Sequence, residues 1–188
     1  MALDISLFRI VNGFAGRFDG LDAIGIFAAV FLLPLLGVLL FLATFTVKGL
    51  REEHWYEMPL KAIVAGGIGY VIRLVVGALV ARPRPFVGLQ DVHALVLTDI
   101  EEAYRSFPSG HATLAFAIAI TVYKQDRDWG IAFLILAAIV AIGRVFVGVH
   151  FPVDVIAGAL LGIGSAWVVH VFEKKEWRKI ERALRMKH

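Results

Sequence analysis

Five long apolar runs, separated by polar and charged segments, restrict this 188-residue chain to a fold built for a bilayer. They cover residues 23–47, 59–81, 109–123, 129–148 and 153–172. A hydrocarbon layer about 30 Å thick is crossed by roughly 20 apolar residues in a helix. No water is available there, so each run must close its own backbone hydrogen bonds. Hydrophobic residues make up 59% of the chain, against about 45–50% in a soluble domain. The expected fold is therefore all-α: a polytopic transmembrane helix bundle of about five spanning helices, plus an N-terminal amphipathic interfacial helix or short sixth span. Residues 1–172 are expected to form one membrane-embedded domain, and 173–188 a basic tail. The chain has no cysteine, which excludes disulfides and thiolate metal sites.

The amphipathic helix is expected over residues 3–17. Leu3, Leu7, Ile10, Val11 and Phe14 share one face, while Asp4, Arg9, Asn12 and Arg17 are distributed elsewhere. Such a helix lies in the membrane interface. The early charges, Asp19 included, argue against a cleavable signal peptide, so the first span is expected to act as an uncleaved anchor. Pro34 is expected to kink that span.

Orientation follows from the tail, where seven basic residues (Lys174, Lys175, Arg178, Lys179, Arg182, Arg185, Lys187) outnumber Glu173, Glu176 and Glu181. The positive-inside rule puts it in the cytoplasm. Counting spans backwards, the turns at 48–57 and 124–128 are cytoplasmic, and the 82–107 and 149–152 connections face outward. The polar residues that could carry chemistry then gather on one extracytoplasmic face.

Those residues fall in three groups: Arg82-Pro83-Arg84-Pro85, Pro108-Ser109-Gly110-His111, and Arg144 with His150 and Asp154. A Pro-Ser-Gly turn opening a helix offers free N–H groups and the positive end of the dipole to an anion, although a plain helix cap uses the same residues. Arg144 could be a snorkelling arginine. Asp154, just inside an apolar helix, is costly unless paired. His150 is near enough in sequence to donate its Nδ1–H to Asp154, which leaves Nε2 free as a nucleophile. Arg84 and Arg144 supply planar forks for phosphate oxygens, and His111 can protonate a leaving oxygen. The inventory suits phosphoryl transfer on a lipid. A metal-dependent hydrolase using His111, His150 and Asp154 ranks low, because so positive a cradle opposes a cation.

In order and spacing these groups resemble the signature of the type 2 phosphatidic acid phosphatase superfamily: Lys-x6-Arg-Pro, Pro-Ser-Gly-His, and Ser-Arg-x5-His-x3-Asp. The resemblance covers about residues 60–172. The opening Leu7-Phe8-Arg9-Ile10-Val11-Asn12-Gly13-Phe14-Ala15-Gly16, with Leu21-Asp22-Ala23-Ile24 after it, is similar to bacterial undecaprenyl-diphosphatases. The resemblance implies that His150 attacks phosphorus, Asp154 orients it and His111 protonates the leaving group. It implies that Arg84, Arg144, Ser109 and the Gly110 N–H hold the phosphate. It also implies hydrolysis of a phosphohistidine by water, with no metal and no cofactor. The substrate stays open between undecaprenyl diphosphate and phosphatidylglycerophosphate, phosphatidate or lipid A phosphate, as does transfer to another lipid in place of hydrolysis. The partners it implies are a polyprenyl or glycerolipid phosphate and the surrounding lipids, with no nucleic acid.

Two positions depart from the signature. Gly77 stands where the motif has lysine, and Gly143 where it has serine. The serine is expected to be a mild loss of one hydroxyl. For the missing cation, Arg82 and Arg73 are auxiliary candidates. Arg82 ranks slightly ahead, because helical side chains lean towards the N-terminus and would carry Arg73 away from the site. Arg73 in mid-membrane would cost about 2.5–3.5 kcal/mol unpaired, so it needs a carboxylate or carbonyl partner. His93 with Asp91, and Glu101 with Glu102, are expected in water beside the site. His54 and His170 are expected to be structural, and Trp55, Trp129, Trp167 and Trp177 to sit near the interfaces.

Overall fold

The computed structural model of the chain describes residues 2–46, 56–96 and 102–185, with 174–185 as backbone only. The 48–57 turn up to residue 55, with His54 and Trp55, lies outside the described residues, as do Asp99, Glu101 and the side chains of the basic tail. Among the described residues every regular element is helical: α1 (Ala2–Asn12), α2 (Asp19–Ile26), a π-helical turn (Phe27–Phe31), α3 (Leu32–Ala43), α4 (Glu57–Val80), α5 (Pro85–Gly88), a 3-10 turn (Glu102–Tyr104), α6 (Gly110–Gln125), α7 (Arg127–Phe146) and α8 (Pro152–Arg185).

Among the described residues, four stretches are long and apolar enough to cross a membrane: Asp19–Ala43, Glu57–Gly88, Arg127–Phe146 and Pro152–Glu173. The protein is an integral membrane protein. The remaining expected span, α6, has 16 residues, which is about 24 Å of helix. It is the central post, packed against α4, α7 and α8. Ala112, Ala115, Ala117, Ala119 and Val122 on it are fully buried. Outward positions such as Ile63, Val71, Leu79, Ile135, Ile142, Ile156 and Leu160 are apolar and exposed, as a lipid-facing surface requires.

Small residues set how closely the post is approached. A Cβ at Gly158 of α8 would lie 2.4 Å from the Ser109 carbonyl oxygen, and one at Gly162 would lie 2.2 Å from that of Thr113. Glycines one turn apart thus let the two backbones touch, the packing that close transmembrane pairs use. This contact presses the start of α6 against the start of α8. There the Ser109 N–H donates to the Asp154 carbonyl at 2.9 Å.

Two expectations for the N-terminal region are refined. The helical winding widens to a π turn at Phe27–Phe31, just before Pro34. Proline supplies no N–H and crowds the carbonyl four residues back, which is Val30. An inserted π turn relieves such a mismatch. The N-terminal helix also ends earlier than expected, at Asn12, and turns through Gly16, whose φ is +75°. The Gly16 N–H donates to the Asp22 carboxylate at 3.0 and 3.1 Å.

The faces of α1 are distributed as a membrane demands. Leu3, Leu7, Ile10 and Phe14 point outward. Asp4, Phe8 and Asn12, spaced four apart, form the buried stripe. Asn12 donates to the carbonyls of His93 (2.9 Å) and Phe146 (2.8 Å) and accepts from the His93 N–H (3.0 Å). Phe8 meets Phe151 with ring centroids 5.4 Å apart.

Candidate active site

The C-terminal ends of α4 and α7 and the N-terminal ends of α6 and α8 meet at one end of the bundle, and each delivers part of a polar cluster. After α7, the chain turns through Gly148 (φ +81°), where a Cβ would lie 2.7 Å from the His93 carbonyl oxygen. The turn carries His150 inward until only 1% of it is exposed. Pro152 opens α8 and Asp154 sits in its first turn, fully buried.

The Asp154 carboxylate is held on every side. Oδ2 accepts from Ser106 Oγ at 2.5 Å and from the Phe151 N–H at 2.9 Å. Oδ1 pairs with Arg82 Nη1 at 2.5 Å. His150 Nδ1 lies 3.7 Å from Oδ2, longer than a hydrogen bond. Ser106 Oγ sits beside both groups, 3.4 Å from Nδ1. The direct His150–Asp154 bond expected from spacing is therefore an open contact with a serine hydroxyl next to it. Such bonds commonly tighten only around substrate. With Nδ1 turned to Ser106 and Asp154, the other ring nitrogen is left for the cavity.

That cavity is about 460 Å³ and is lined by Arg73, Arg84, His111, Arg144, His150 and Glu102, with Tyr70, Leu33, Gly110 and Leu114. Arg84 is 3% exposed. Its Nε donates to the Glu102 carbonyl (2.7 Å), Nη1 to the Val149 carbonyl (3.2 Å), and Nη2 pairs with the Glu102 carboxylate (3.2 Å). Arg144 donates from Nη1 to the Ala29 carbonyl in the π turn (3.2 Å), while its buried Nε has no protein partner. Ser109 Oγ is likewise buried without a partner. Gly110 leaves room for Arg73, whose Nε would be 3.4 Å from a Cβ there.

The auxiliary arginines exchange places relative to expectation. Arg73 lines the cavity. Its Nη2 reaches the Glu102 carboxylate (3.0 Å) and the Arg105 carbonyl (3.3 Å), and its Nε reaches the Pro108 carbonyl (3.3 Å). Arg82 does not line it and turns to Asp154 instead. The physical reason is the path of the 105–109 segment, which descends beside α4 and brings the site level with Arg73. Gly77 lies against this segment: a Cβ there would be 3.4 Å from the Phe107 carbonyl oxygen. Glu102, expected in water, forms one cavity wall. Burial pushes its carboxyl up, but Arg73 and then Arg84 outweigh that and hold it below the ordinary carboxylate value. Ser106 and Asp4 were not singled out by sequence reasoning. His93 and Asp91 are both exposed, as expected, with the His93 ring beside Gly16.

Burial pushes the His150 ring down to about 4; Asp154 opposes the shift, and Arg144 and Arg84 add to it. An ordinary imidazole titrates near 6.5, so the ring is neutral at physiological pH. A depressed folded-state value means that its share of stability is intact above about pH 6.5 and erodes as pH falls towards 4. In ¹⁵N-histidine spectra of the protein in detergent, the ring signal missing from His150→Gln is expected to titrate near pH 4. A midpoint at 6.5 would contradict the buried environment.

Comparison with known proteins supplies the lineage. The model of the family described as "PAP2 superfamily" matches residues 59–178. The chain belongs to the PAP2 superfamily. It is 32% identical to the bacitracin transport permease protein BcrC of Bacillus licheniformis, over 89% of this chain and 79% of that one. It is 30% identical to the undecaprenyl-diphosphatase BcrC of Bacillus subtilis, over 86% and 79%. Among solved structures it resembles Aquifex aeolicus LpxE, with a TM-score of 0.70 and 28% identity, covering 90% of this chain and 95% of that one.

Proposed function

We propose that this PAP2 protein hydrolyses undecaprenyl diphosphate to undecaprenyl phosphate through a phosphohistidine on His150, without a metal. At the coarser level the chain is a membrane lipid phosphatase. One observation carries the finer reading. The arginine-lined cavity shares Leu33, His111 and Leu114 with an apolar groove of about 670 Å³, walled by α3 and α4 residues such as Pro34, Gly37, Ala62 and Gly67. A charged head on a long apolar tail fits that pair of spaces. The names of the BcrC relatives favour a polyprenyl diphosphate among such lipids.

In the proposed reaction, His150 Nε2 forms a bond to the terminal phosphorus as the bond to the bridging oxygen breaks. His111 gives the departing oxygen its proton. Arg84, Arg144 and Arg73 stabilise the charge on the transferred group, usually the main source of rate in phosphoryl transfer. Ser109 Oγ and the Gly110 N–H add donors at the start of α6. Water, giving a proton back to His111, then attacks phosphorus, and the bond to Nε2 breaks to release inorganic phosphate and free His150. The buried, unpartnered Arg144 Nε and Ser109 Oγ support an anion here, because orphaned buried donors usually have a ligand to meet. Among the described residues no three of His, Asp or Glu gather to hold a cation. We place the site on the extracytoplasmic face. α8 starts at the cluster and runs away from it into the basic tail, which the positive-inside rule assigns to the cytoplasm.

The test is phosphate release by the purified protein in detergent with excess EDTA, comparing undecaprenyl diphosphate with phosphatidylglycerophosphate. Preference for the polyprenyl substrate, undiminished by EDTA, is the expected result. Preference for the glycerolipid would keep the site chemistry and change the substrate. Loss of activity in EDTA would reject the metal-free route.

A further inference from the structure

α1 reads from its sequence as an interfacial anchor, yet its one buried carboxylate is wired to the reaction centre. Asp4 is 7% exposed. Its Oδ1 accepts the Val153 N–H at 3.0 Å and its Oδ2 pairs with Arg82 Nη2 at 2.6 Å. The other terminal nitrogen of the same guanidinium, Nη1, pairs with Asp154 Oδ1. Arg82 therefore bridges two carboxylates from opposite ends of the chain. Its plane is fixed from below by the Phe151 ring, 4.2 Å from the guanidinium carbon, and Phe151 is fixed by Phe8 of α1.

We infer that Asp4 and Arg82 are positioning residues: α1 holds Arg82, and Arg82 holds the Asp154 carboxylate so that its other oxygen faces Ser106 and His150. The inference rests on the assignment of His150 and Asp154 to the reaction. A carboxylate has two oxygens and one plane. With Oδ1 clamped by Arg82 and Oδ2 met by the Phe151 N–H and Ser106, the carboxylate cannot rotate away from the imidazole. Lysine could neutralise Asp154 but could not span both carboxylates in a fixed plane, because the bridge depends on the guanidinium fork. The Asp4 contact has a second consequence. It caps the Val153 N–H at the start of α8, so the same side chain fixes the helix turn that carries Asp154.

The test uses the full chain in detergent and the variants Asp4→Asn, Arg82→Lys, Arg82→Gln and the double Asp4→Asn/Arg82→Gln. Phosphate release and inhibition by orthovanadate are measured together with the thermal midpoint. Misplacing a reacting group by about an ångström costs roughly 10²-fold. The expected result is a fall in kcat of roughly 10- to 100-fold for Arg82→Gln and a smaller fall for Asp4→Asn. KM and the vanadate constant should stay within about threefold, since neither residue lines the anion cavity. Arg82→Lys should recover part of kcat. The double variant should be no slower than Arg82→Gln alone, because asparagine at position 4 keeps an oxygen for the Val153 N–H and the rest of the Asp4 effect passes through Arg82. Unchanged kcat in Arg82→Gln overturns the inference. So do effects that multiply in the double variant, and so does a loss that follows the thermal midpoint in every variant.

A substrate-free readout separates this inference from the functional assignment. The His150 ring is faced by Asp154 of α8, Arg144 of α7, Arg84 at the start of α5 and His111 of α6. Removing the Arg82 cation leaves Asp154 less neutralised, so the ring should protonate at higher pH in Arg82→Gln, while Arg82→Lys stays close to wild type. If the wild type releases no phosphate from any lipid, the functional assignment fails, and this titration still decides the coupling. A His150 signal unmoved in Arg82→Gln overturns it.

Discussion

His150→Ala is expected to reduce phosphate release by roughly 10³-fold or more while the protein elutes and unfolds like the wild type. The size follows from chemistry: a route through a covalent intermediate has no first step without its nucleophile. The preserved fold follows from the neighbours. Asp154 would keep Arg82 Nη1, Ser106 Oγ and the Phe151 N–H, so removing the ring leaves no buried carboxylate without a partner. The space vacated opens onto an existing polar cavity in which water has partners. The matching control is a pulse with ³²P-labelled substrate quenched in detergent at alkaline pH. Wild type should carry acid-labile, base-stable label and His150→Ala none. Retained turnover in the variant would remove His150 from the nucleophile's role.

The order of the three polar groups and the helical class were legible because each depends on local rules: apolar run length, helix-opening turns, and a histidine and a carboxylate four residues apart. What was not legible depends on how far loops reach into the bundle. Arg73 lies one turn before the expected lysine position and should lean away from the site, yet it lines the cavity because the 105–109 segment descends to its level. Ser106 stood next to a recognisable motif, but only the paired backbone of Arg82 and Ser106, whose N–H donates to the Arg82 carbonyl at 2.9 Å, turns its hydroxyl to Asp154. For α1 the periodicity was visible and both stripes could be read from it. Leu3, Leu7 and Ile10 face outward, as an interfacial helix requires, while Val11 of the same stripe packs inward and Asp4, Phe8 and Asn12 face protein.

Gly143 stands where the signature has serine, and the packing leaves little room to put that serine back. Gly143→Ser restores the family residue and is expected to lower both stability and turnover. A Cβ at 143 would lie 2.9 Å from the Ala29 nitrogen and from Ala28 Cβ, and 3.1 Å from the Ala28 carbonyl carbon. Two of these three atoms are backbone, inside the π turn, so relief requires moving α2 and α3 away from α7. Overfilling a packed contact typically costs about 1–3 kcal/mol. The displacement also acts on the site. The Ala29 carbonyl is the acceptor for Arg144 Nη1, so a shifted π turn withdraws the bond that aims this guanidinium and leaves its Nε free to swing. The thermal midpoint in detergent should fall, kcat should fall with it, and vanadate should bind more weakly because an anion-binding group has lost its support. Pairing the change with Ala28→Gly removes the side-chain part of the clash and should restore part of the midpoint. A Gly143→Ser protein with wild-type midpoint and turnover would mean that the π turn yields freely and that Arg144 is aimed without it.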